Sequence, residues 1–492
     1  MATLINSTIG ISRKKPRVWV EGSQISKGGL DIGTVLYGVF DTTKSRCVAS
    51  SKEVDAYDFK VKVSKRTNKN GSTKPLLEVR HDKFADMFGV GSDIRIVIKN
   101  GKMFIRKYIQ NEGMKSRLEE AKRLVESGET VKISELFKVL SPEEIDARKR
   151  ERLERLIEKV KRGESFTIGS LFHGGGTLDR VFHDGFTRAG LSSYVKIVTD
   201  CERSFLSASI TNNKMLWGED SLFIESPVEM INFSEAGGYV DICVAGLPCT
   251  GASPSGKTSN KLSKAEHHKK SGMAFVSFCE AILFLNPISV QFENVVQYAK
   301  TESYTVICEV LKYLGYNVVD GTLNGNDFGA LEARKRLCMV ATTDGIPAFD
   351  FELLEPMKKS VSGNVADILV DIDANDDRWR ERKYLVDKEV RDKAAGKGFA
   401  RTLLTGDEVS VPVIKRTNHK AQSDGIFIVH PVKPELNRMP MKLEHAAIKQ
   451  VPFEVVSGLS ETVACEILGQ GVIGSVFDAV GYAHATTLKS VA

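Results

Sequence analysis

Between residues 166 and 343 strand and helix signals alternate, and that alternation constrains the fold more than any other feature of the chain. Apolar runs read as strands in FTIGSLF, YVKIVTD, VDICVAG, ISVQFEN, NVVDGTL and RLCMVATT, with helical periodicity between them. Strands joined through helices run mainly parallel, because a crossover needs a dozen or more residues and its helices then cover the sheet faces. The expected class is α/β. Ligands of such sheets sit beyond the carboxyl ends of the strands. Residues that immediately follow each strand are therefore the candidates for a site.

The first of these strands runs into HGGGTLDRVF, a strand-to-helix turn whose backbone N–H groups can approach a ligand closely, with Phe172, Gly174 and Gly176 along it. It is not a G-x-G-x-x-G turn, so a nucleoside cofactor is favoured over a dinucleotide. The second strand ends in TDCE, which offers Asp200 or Glu202 to a pair of ribose hydroxyls. GED puts Asp220 on the next loop, where it is expected to meet an adenine amino group. AGLPCTGASPSGK then places Cys249 in a turn stiffened by Pro248, where a thiol faces the ligand crevice. FENV brings Glu293 to the same edge, and EARKR supplies Arg334 and Arg336, two apart on an extended stretch and so on one side of it. A nucleophilic thiol, an acid and an anion-stabilising pair beside a nucleoside pocket are the parts of a covalent group-transfer site.

 Eight cysteines are scattered along the chain with no C-x-x-C pair and no Cys/His cluster at zinc spacing, so they are expected to be reduced thiols and no metal is expected. The first residues, MATLINSTIG, carry no apolar core of a signal peptide, and no stretch reaches the length of a membrane span; a cytoplasmic location is expected. The formal charge of +6 is uneven: residues 1–165 hold 35 Lys+Arg against 23 Asp+Glu, and the remainder is net acidic. That asymmetry points to an acidic partner for the front third, nucleic acid being the commonest.

Five segments follow from these signals. Residues 1–110 form a basic, β-rich unit in which RVWVEGSQISKGGLDIGTVLYGVF and LEVRHDKFADMFGVGSDIRIVI share one plan, a diverged repeat that matches Gly33 to Gly91. The pattern resembles the swapped-hairpin barrels of AbrB-type DNA-binding domains. Residues 111–165 read as a helical connector, with Ser141, Pro142 and Glu144 as a capping box and Gly163 as its stop. Residues 166–344 are the α/β domain, 345–450 a smaller domain of short strands and charge runs, and 451–492 a helix that returns to the α/β domain.

The motifs of the α/β domain, in this order, resemble those of the DNA (cytosine-5)-methyltransferases. LFHGGG is similar to the family's F-x-G-x-G loop, GLPCTGASPSGK to G-F-P-C-Q-x-F-S-x-x-G, FENV to E-N-V, and LNGNDFGALEARKR to L-N-x-x-D-Y-G-x-P-Q-x-R-x-R. LGQGV stands where the family has G-N-S-V, and residues 345–437 take the place of its target recognition domain. Thr250 replaces Gln, Leu331 and Glu332 replace Pro-Gln, and Gln470-Gly471 replace Asn-Ser.

The resemblance implies a Rossmann-like class I methyltransferase sheet with a smaller recognition domain, S-adenosylmethionine as cofactor and duplex DNA as partner, with no membrane or metal and a monomer in catalysis. Cys249 is then the thiolate that adds to C6 of a flipped-out cytosine, Glu293 the group on N3 and the exocyclic amine, and Arg336 with Arg334 the pair on O2. Cofactor contacts are implied at Phe172, Gly174, Gly176, Asp200, Glu202, Asp220, Leu247, Pro248, Gly469, Gln470 and Val472. Ser253 and Lys257 would meet phosphate from a loop over residues 251–271, while Arg401, Lys415, Arg416 and Asn418 are available for base edges or phosphate. Methylation of an RNA cytosine and a non-catalytic DNA-binding relative are the alternatives.

Overall fold

Among the described residues one mixed sheet of 13 strands runs through the protein, in the order β16-β17-β15-β14-β11-β12-β13-β1-β9-β10-β5-β4-β6. The computed structural model describes residues 1–68, 71–127, 136–137, 140–236, 238–253, 264–268, 271–396, 398 and 400–491. The middle of the sheet is the α/β domain: β11 (Phe166–Leu171), β12 (Ser193–Asp200), β13 (Trp217–Glu225), β14 (Ile242–Gly246) and β15 (Ser289–Val295) are mutually parallel. β16 (Tyr316–Asn324) and β17 (Lys335–Thr343) close that side as an antiparallel hairpin, β17 pairing with β15. The central strands β11, β14 and β15 are almost continuously buried, as a sheet covered on both faces requires.

Helices Thr177–Arg188 and Gly474–Lys489 pack together on one face. Their axes come close because the crossing is built from glycines: a Cβ on Gly185 would lie 1.9 Å from the carbonyl oxygen of Asp478, and one on Gly481 would lie 2.4 Å from that of Phe182. Phe166, Phe182 and Phe186 fill the space beneath, each burial contributing about 1.5–3 kcal/mol.

The front unit is not a detached domain. Strand β1 (Ala2–Thr8) pairs in parallel with β13, register Ile5 to Glu225, so the front sheet continues the α/β sheet. Beyond β1 lie β9 (Asp93–Lys99), β10 (Lys102–Lys107), β5 (Arg46–Ser50), β4 (Val35–Asp41) and β6 (Phe59–Lys62). A second sheet orders β2 (Gly10–Ser12), β3 (Lys15–Glu21), β8 (Thr73–Arg80) and β7 (Ser64–Thr67). Both sheets contribute to one apolar core around Val18, Leu36, Leu77 and Ile96. The order β2-β3-β8-β7 and the run β9-β10-β5-β4 each reverse about their centre, which places the two copies of the strand, short helix, strand plan in equivalent positions.

The connector helix Pro142–Arg162 starts on the capping box, Glu144 N donating to Ser141 Oγ at 3.2 Å and Ser141 N to Glu144 Oε2 at 2.7 Å. It lies across the amino ends of the parallel strands: Arg152 donates to the carbonyl of Leu314 at 2.7 Å, and Lys159 pairs with Asp241 at 2.9 Å. The opposite, carboxyl ends stay open. There the smaller domain, with its sheet β18-β21-β20-β19 (Arg380–Glu381, Leu436–Arg438, Ile426–Val429, Thr402–Leu404), faces the α/β domain. Among the described residues no single helix is long and apolar enough to cross a membrane.

Candidate active site

A cleft of about 2490 Å³ lies between the carboxyl ends of the parallel strands and the smaller domain. Sites for one small ligand usually hold about 300–1,000 Å³. The space therefore suits a small ligand together with part of a macromolecule.

The turn after β14 presents Leu247, Pro248 and Cys249 to the cleft. It is held from two sides. Asn294 Nδ2, on the end of β15, donates to the carbonyl of Leu247 at 3.3 Å, while the N–H groups of Ala252 and Ser253 donate to the carbonyl of Cys249 at 3.0 and 2.8 Å. Burial pushes the Cys249 thiol above its ordinary range, and the Arg336 guanidinium opposes that shift, as Arg334 does more weakly; Glu293 reinforces it. Arg336 and Glu293 meet directly, Nε to Oε1 at 2.9 Å. Burial and the Arg334 charge bring the Arg336 guanidinium down to about 10.

Arg334 lines the same cleft but turns both terminal nitrogens elsewhere: Nη1 reaches Glu332 at 3.3 Å and Nη2 the carbonyl of Gly469 at 3.2 Å. Glu332 also accepts from the N–H of Ile414 at 3.1 Å and pairs with Lys449 at 2.8 Å. Glu332, Lys449, Arg334 and His445 are all buried. The lysine is held down to about 7 and the histidine to about 3, in each case first by burial. This cluster ties β17 to the smaller domain and to helix Lys442–Lys449. The departure of Glu332 from the family's Gln was its only signal in the sequence.

At the other end of the cleft Phe172, Gly174, Glu202, Gln470 and Val472 come together. Phe172 takes φ 59° and Gly174 φ 59°, so two successive left-handed corners turn the chain into helix Thr177–Arg188. Between the two acids of TDCE the geometry discriminates. Asp200 accepts from Gly174 N at 2.6 Å and Glu202 N at 2.7 Å, so it spends its oxygens holding two loops. Glu202 is exposed on the cleft wall, with Ser204 Oγ donating to it at 2.9 Å. Asp179 Oδ1 is buried at the same wall with no hydrogen-bond partner among the described residues.

Several expected placements are corrected. Asp220 is not on a loop at this edge: GED lies inside β13, and the Asp220 side chain meets Tyr194 on the neighbouring strand. Ser226, Pro227, Val228 and Glu229 line the cleft there instead. Gly176 is a packing glycine rather than a wall of the cleft, since a Cβ would lie 2.4 Å from Ser209 Oγ and 2.7 Å from His173 Nε2. Gly469 does line it, and also lets the chain at Lys415–Arg416 approach, where a Cβ would meet Arg416 N at 2.4 Å.

On the smaller domain Arg401 is engaged by Glu389 at 2.6 and 3.1 Å, and Asn418 is buried, exchanging hydrogen bonds with both backbone groups of Ile426. Neither faces the cleft. Lys415 and Arg416 do; Lys415 is paired with Asp424, and the Arg416 guanidinium lies 5.6 Å from the centre of the Phe205 ring. Tyr384, Lys388 and Gln422, which carried no sequence signal, line the same face. Ser253 lies at the cleft, and Lys257 lies outside the described residues. Among the described residues no group of three metal-ligating side chains occurs.

A family model, C-5 cytosine-specific DNA methylase, matches residues 166–455. The chain is 26% identical over 243 residues to the Type II methyltransferase M1.ScrFI of Lactococcus lactis subsp. cremoris, covering 47% of this chain and 59% of that one. It is 25% identical over 263 residues to M.NlaX of Neisseria lactamica, covering 51% and 78%. Among solved structures it is similar to the S. pombe Dnmt2 methyltransferase, with a TM-score of 0.51 at 14% identity over 66% of this chain and 99% of that one. That likeness concerns the fold.

Proposed function

The chain belongs to the C-5 cytosine-specific DNA methylase family, and we propose that it transfers a methyl group from S-adenosylmethionine to C5 of a cytosine flipped out of duplex DNA. The observation that carries this reading is the half-buried Glu293–Arg336 pair acting on Cys249 in a cleft large enough for donor and base together.

S-adenosylmethionine is the family's methyl donor, and the residues present suit it. Glu202 is free to accept ribose hydroxyls, the glycine-rich turn offers its backbone, and Asp179 Oδ1 is an unpartnered acceptor at the same wall. Phe172, Gly174, Glu202 and Gln470 are the residues that would hold it. When bound, it supplies an electrophilic sulfonium methyl.

The chain's own groups have the following work. C5 of cytosine is a weak nucleophile, so Cys249 adds as thiolate to C6 and moves electron density to C5. Glu293 meets N3 and the exocyclic amine as that negative charge arrives, and Arg336 holds O2 by a charge-assisted hydrogen bond. Once C5 carries the methyl group, its proton is lost to base, the C6–S bond breaks and Cys249 is regenerated. The base must leave the helix for C6 to be reached, which costs a few kcal/mol in stacking and pairing.

The test is a duplex carrying 5-fluorocytosine at the methylated position, located beforehand by mapping 5-methylcytosine in a methylation-free host. A denaturant-stable complex that requires S-adenosylmethionine and Cys249 is expected. An active enzyme that forms no such complex overturns the covalent route, and methylation of transfer RNA in place of duplex DNA overturns the substrate.

A further inference from the structure

The front unit, residues 1–110, lies outside the family match, yet it reaches the wall of the cleft. β1 pairs with β13 up to Ile5 opposite Glu225, and the next residue of each strand meets across the seam. Asn6 Nδ2 donates to Ser226 Oγ at 2.8 Å and approaches the carbonyl of Met230 at 3.4 Å. Arg95, from β9, donates to that same carbonyl at 2.9 Å and to Asn6 Oδ1 at 3.3 Å. The segment so bracketed, Ser226 to Met230, contains Ser226, Pro227, Val228 and Glu229, which form the cleft wall beyond Glu202. Gln24 fixes the residue before it by donating to Glu225, which Arg203 also holds at 2.6 Å.

Simple attachment of the front unit needs none of this. Ser23 already bonds Ser207 at 3.0 Å and Thr211 at 2.9 Å, on the helix Arg203–Asn212 and not on the segment itself. A loop that follows a parallel strand is ordinarily positioned by its own domain, and here both ends are tied by side chains from outside it.

We infer that Asn6 and Arg95 are positioning residues for the methyl-donor pocket, the front unit bracing its wall from behind. The inference rests on the donor reading above. In the order of the strands, the turn after β11 meets one end of the donor, Glu202 after β12 its ribose, and the segment after β13 its base. A wall held in place before binding lowers the ordering cost that binding would otherwise carry.

The test measures S-adenosylhomocysteine binding by calorimetry to the full chain and to Asn6→Ala, Arg95→Lys and Ser23→Ala, with melting followed on each. Asn6→Ala and Arg95→Lys are expected to weaken binding roughly tenfold and fivefold, as the loss of one or two partly buried hydrogen bonds gives. Ser23→Ala should bind as the unmodified chain does. In steady state the two variants should raise KM for the donor and leave KM for DNA unchanged, a split that a general loss of stability does not produce. If the unmodified chain fails to bind S-adenosylhomocysteine, the donor reading itself falls. If it binds and both variants bind equally well, the reading stands and this inference is overturned. Should Asn6→Ala not fold, Arg95→Lys, which keeps the charge, decides alone.

Discussion

Arg336 Nε lies 2.9 Å from Oε1 of Glu293 in an ion pair, across the pairing that sets Glu293 opposite Cys338 and Val295 opposite Arg336 in β15 and β17. The acid that would meet the base is thereby fixed to the cation that acts most strongly on Cys249. Glu293→Gln keeps the shape and removes the charge. We expect methyl transfer in a single turnover to fall roughly 10²- to 10³-fold, the range for loss of a positioned acid, with donor affinity unchanged. A fall of less than threefold removes Glu293 from the chemistry.

The state of the Cys249 thiol gives a pH-dependent test. Burial raises it and Arg336 pulls it back down, so the thiolate forms only as pH rises. Iodoacetamide labelling of Cys249, followed by peptide mass, should therefore accelerate with pH. Arg336→Met removes the main opposing charge and should move that profile to higher pH. A profile that stays in place, or moves lower, contradicts the electrostatic assignment. Cys249→Ser should lose transfer by several orders of magnitude while it still binds the donor, since an alcohol is hardly ionised at neutral pH.

The legible parts of this chain were those with local causes. Alternating runs gave the parallel strands, Ser141, Pro142 and Glu144 the helix start, and the strand ends the neighbourhood of Cys249, Glu293 and Arg336. Two kinds of feature escaped. Asp220 was misplaced because WGEDSLFIE carries charge in mid-strand and so read as a loop; its first half is an exposed part of β13. The joining of β1 to β13, and the clusters around Asn6 and Glu332, depend on pairings between residues more than eighty apart, about which periodicity is silent. Arg401 and Asn418 have the chemistry of DNA contacts, and only the fold reveals that Glu389 and Ile426 already occupy them.

Glu332 carries the balance of a buried cluster. It faces Arg334 at 3.3 Å and Lys449 at 2.8 Å, and these two charges hold its carboxyl below the usual range despite burial. Removing it leaves two buried cations without a counter-ion, which typically costs about 3–5 kcal/mol. Glu332→Gln should lower the urea midpoint accordingly. Lys449→Met added to it should restore much of the loss, because the second unpaired charge goes with it. Additive losses in this double-mutant cycle would contradict the coupling.

The cleft face of the smaller domain separates residues that read DNA from residues that hold the reader together. Arg416 is exposed at the rim over Phe205 of the α/β domain, and Gln422 is exposed further along the same loop. A guanidinium at the rim suits phosphate, and an amide on the face suits a base edge. Arg416→Ala should weaken binding about equally across sequences and reduce the salt slope by roughly one unit. Gln422→Ala should instead relax the methylated sequence at one position, at about 1–3 kcal/mol of discrimination. Arg401→Ala and Asn418→Ala should lower the melting temperature, with the salt slope unchanged, since their partners lie within the domain. Binding measured from 50 to 200 mM salt, with genome-wide mapping of 5-methylcytosine, tests all four. If Arg401→Ala lowers the salt slope while Arg416→Ala leaves it alone, the face that meets the duplex has been placed on the wrong side of the domain.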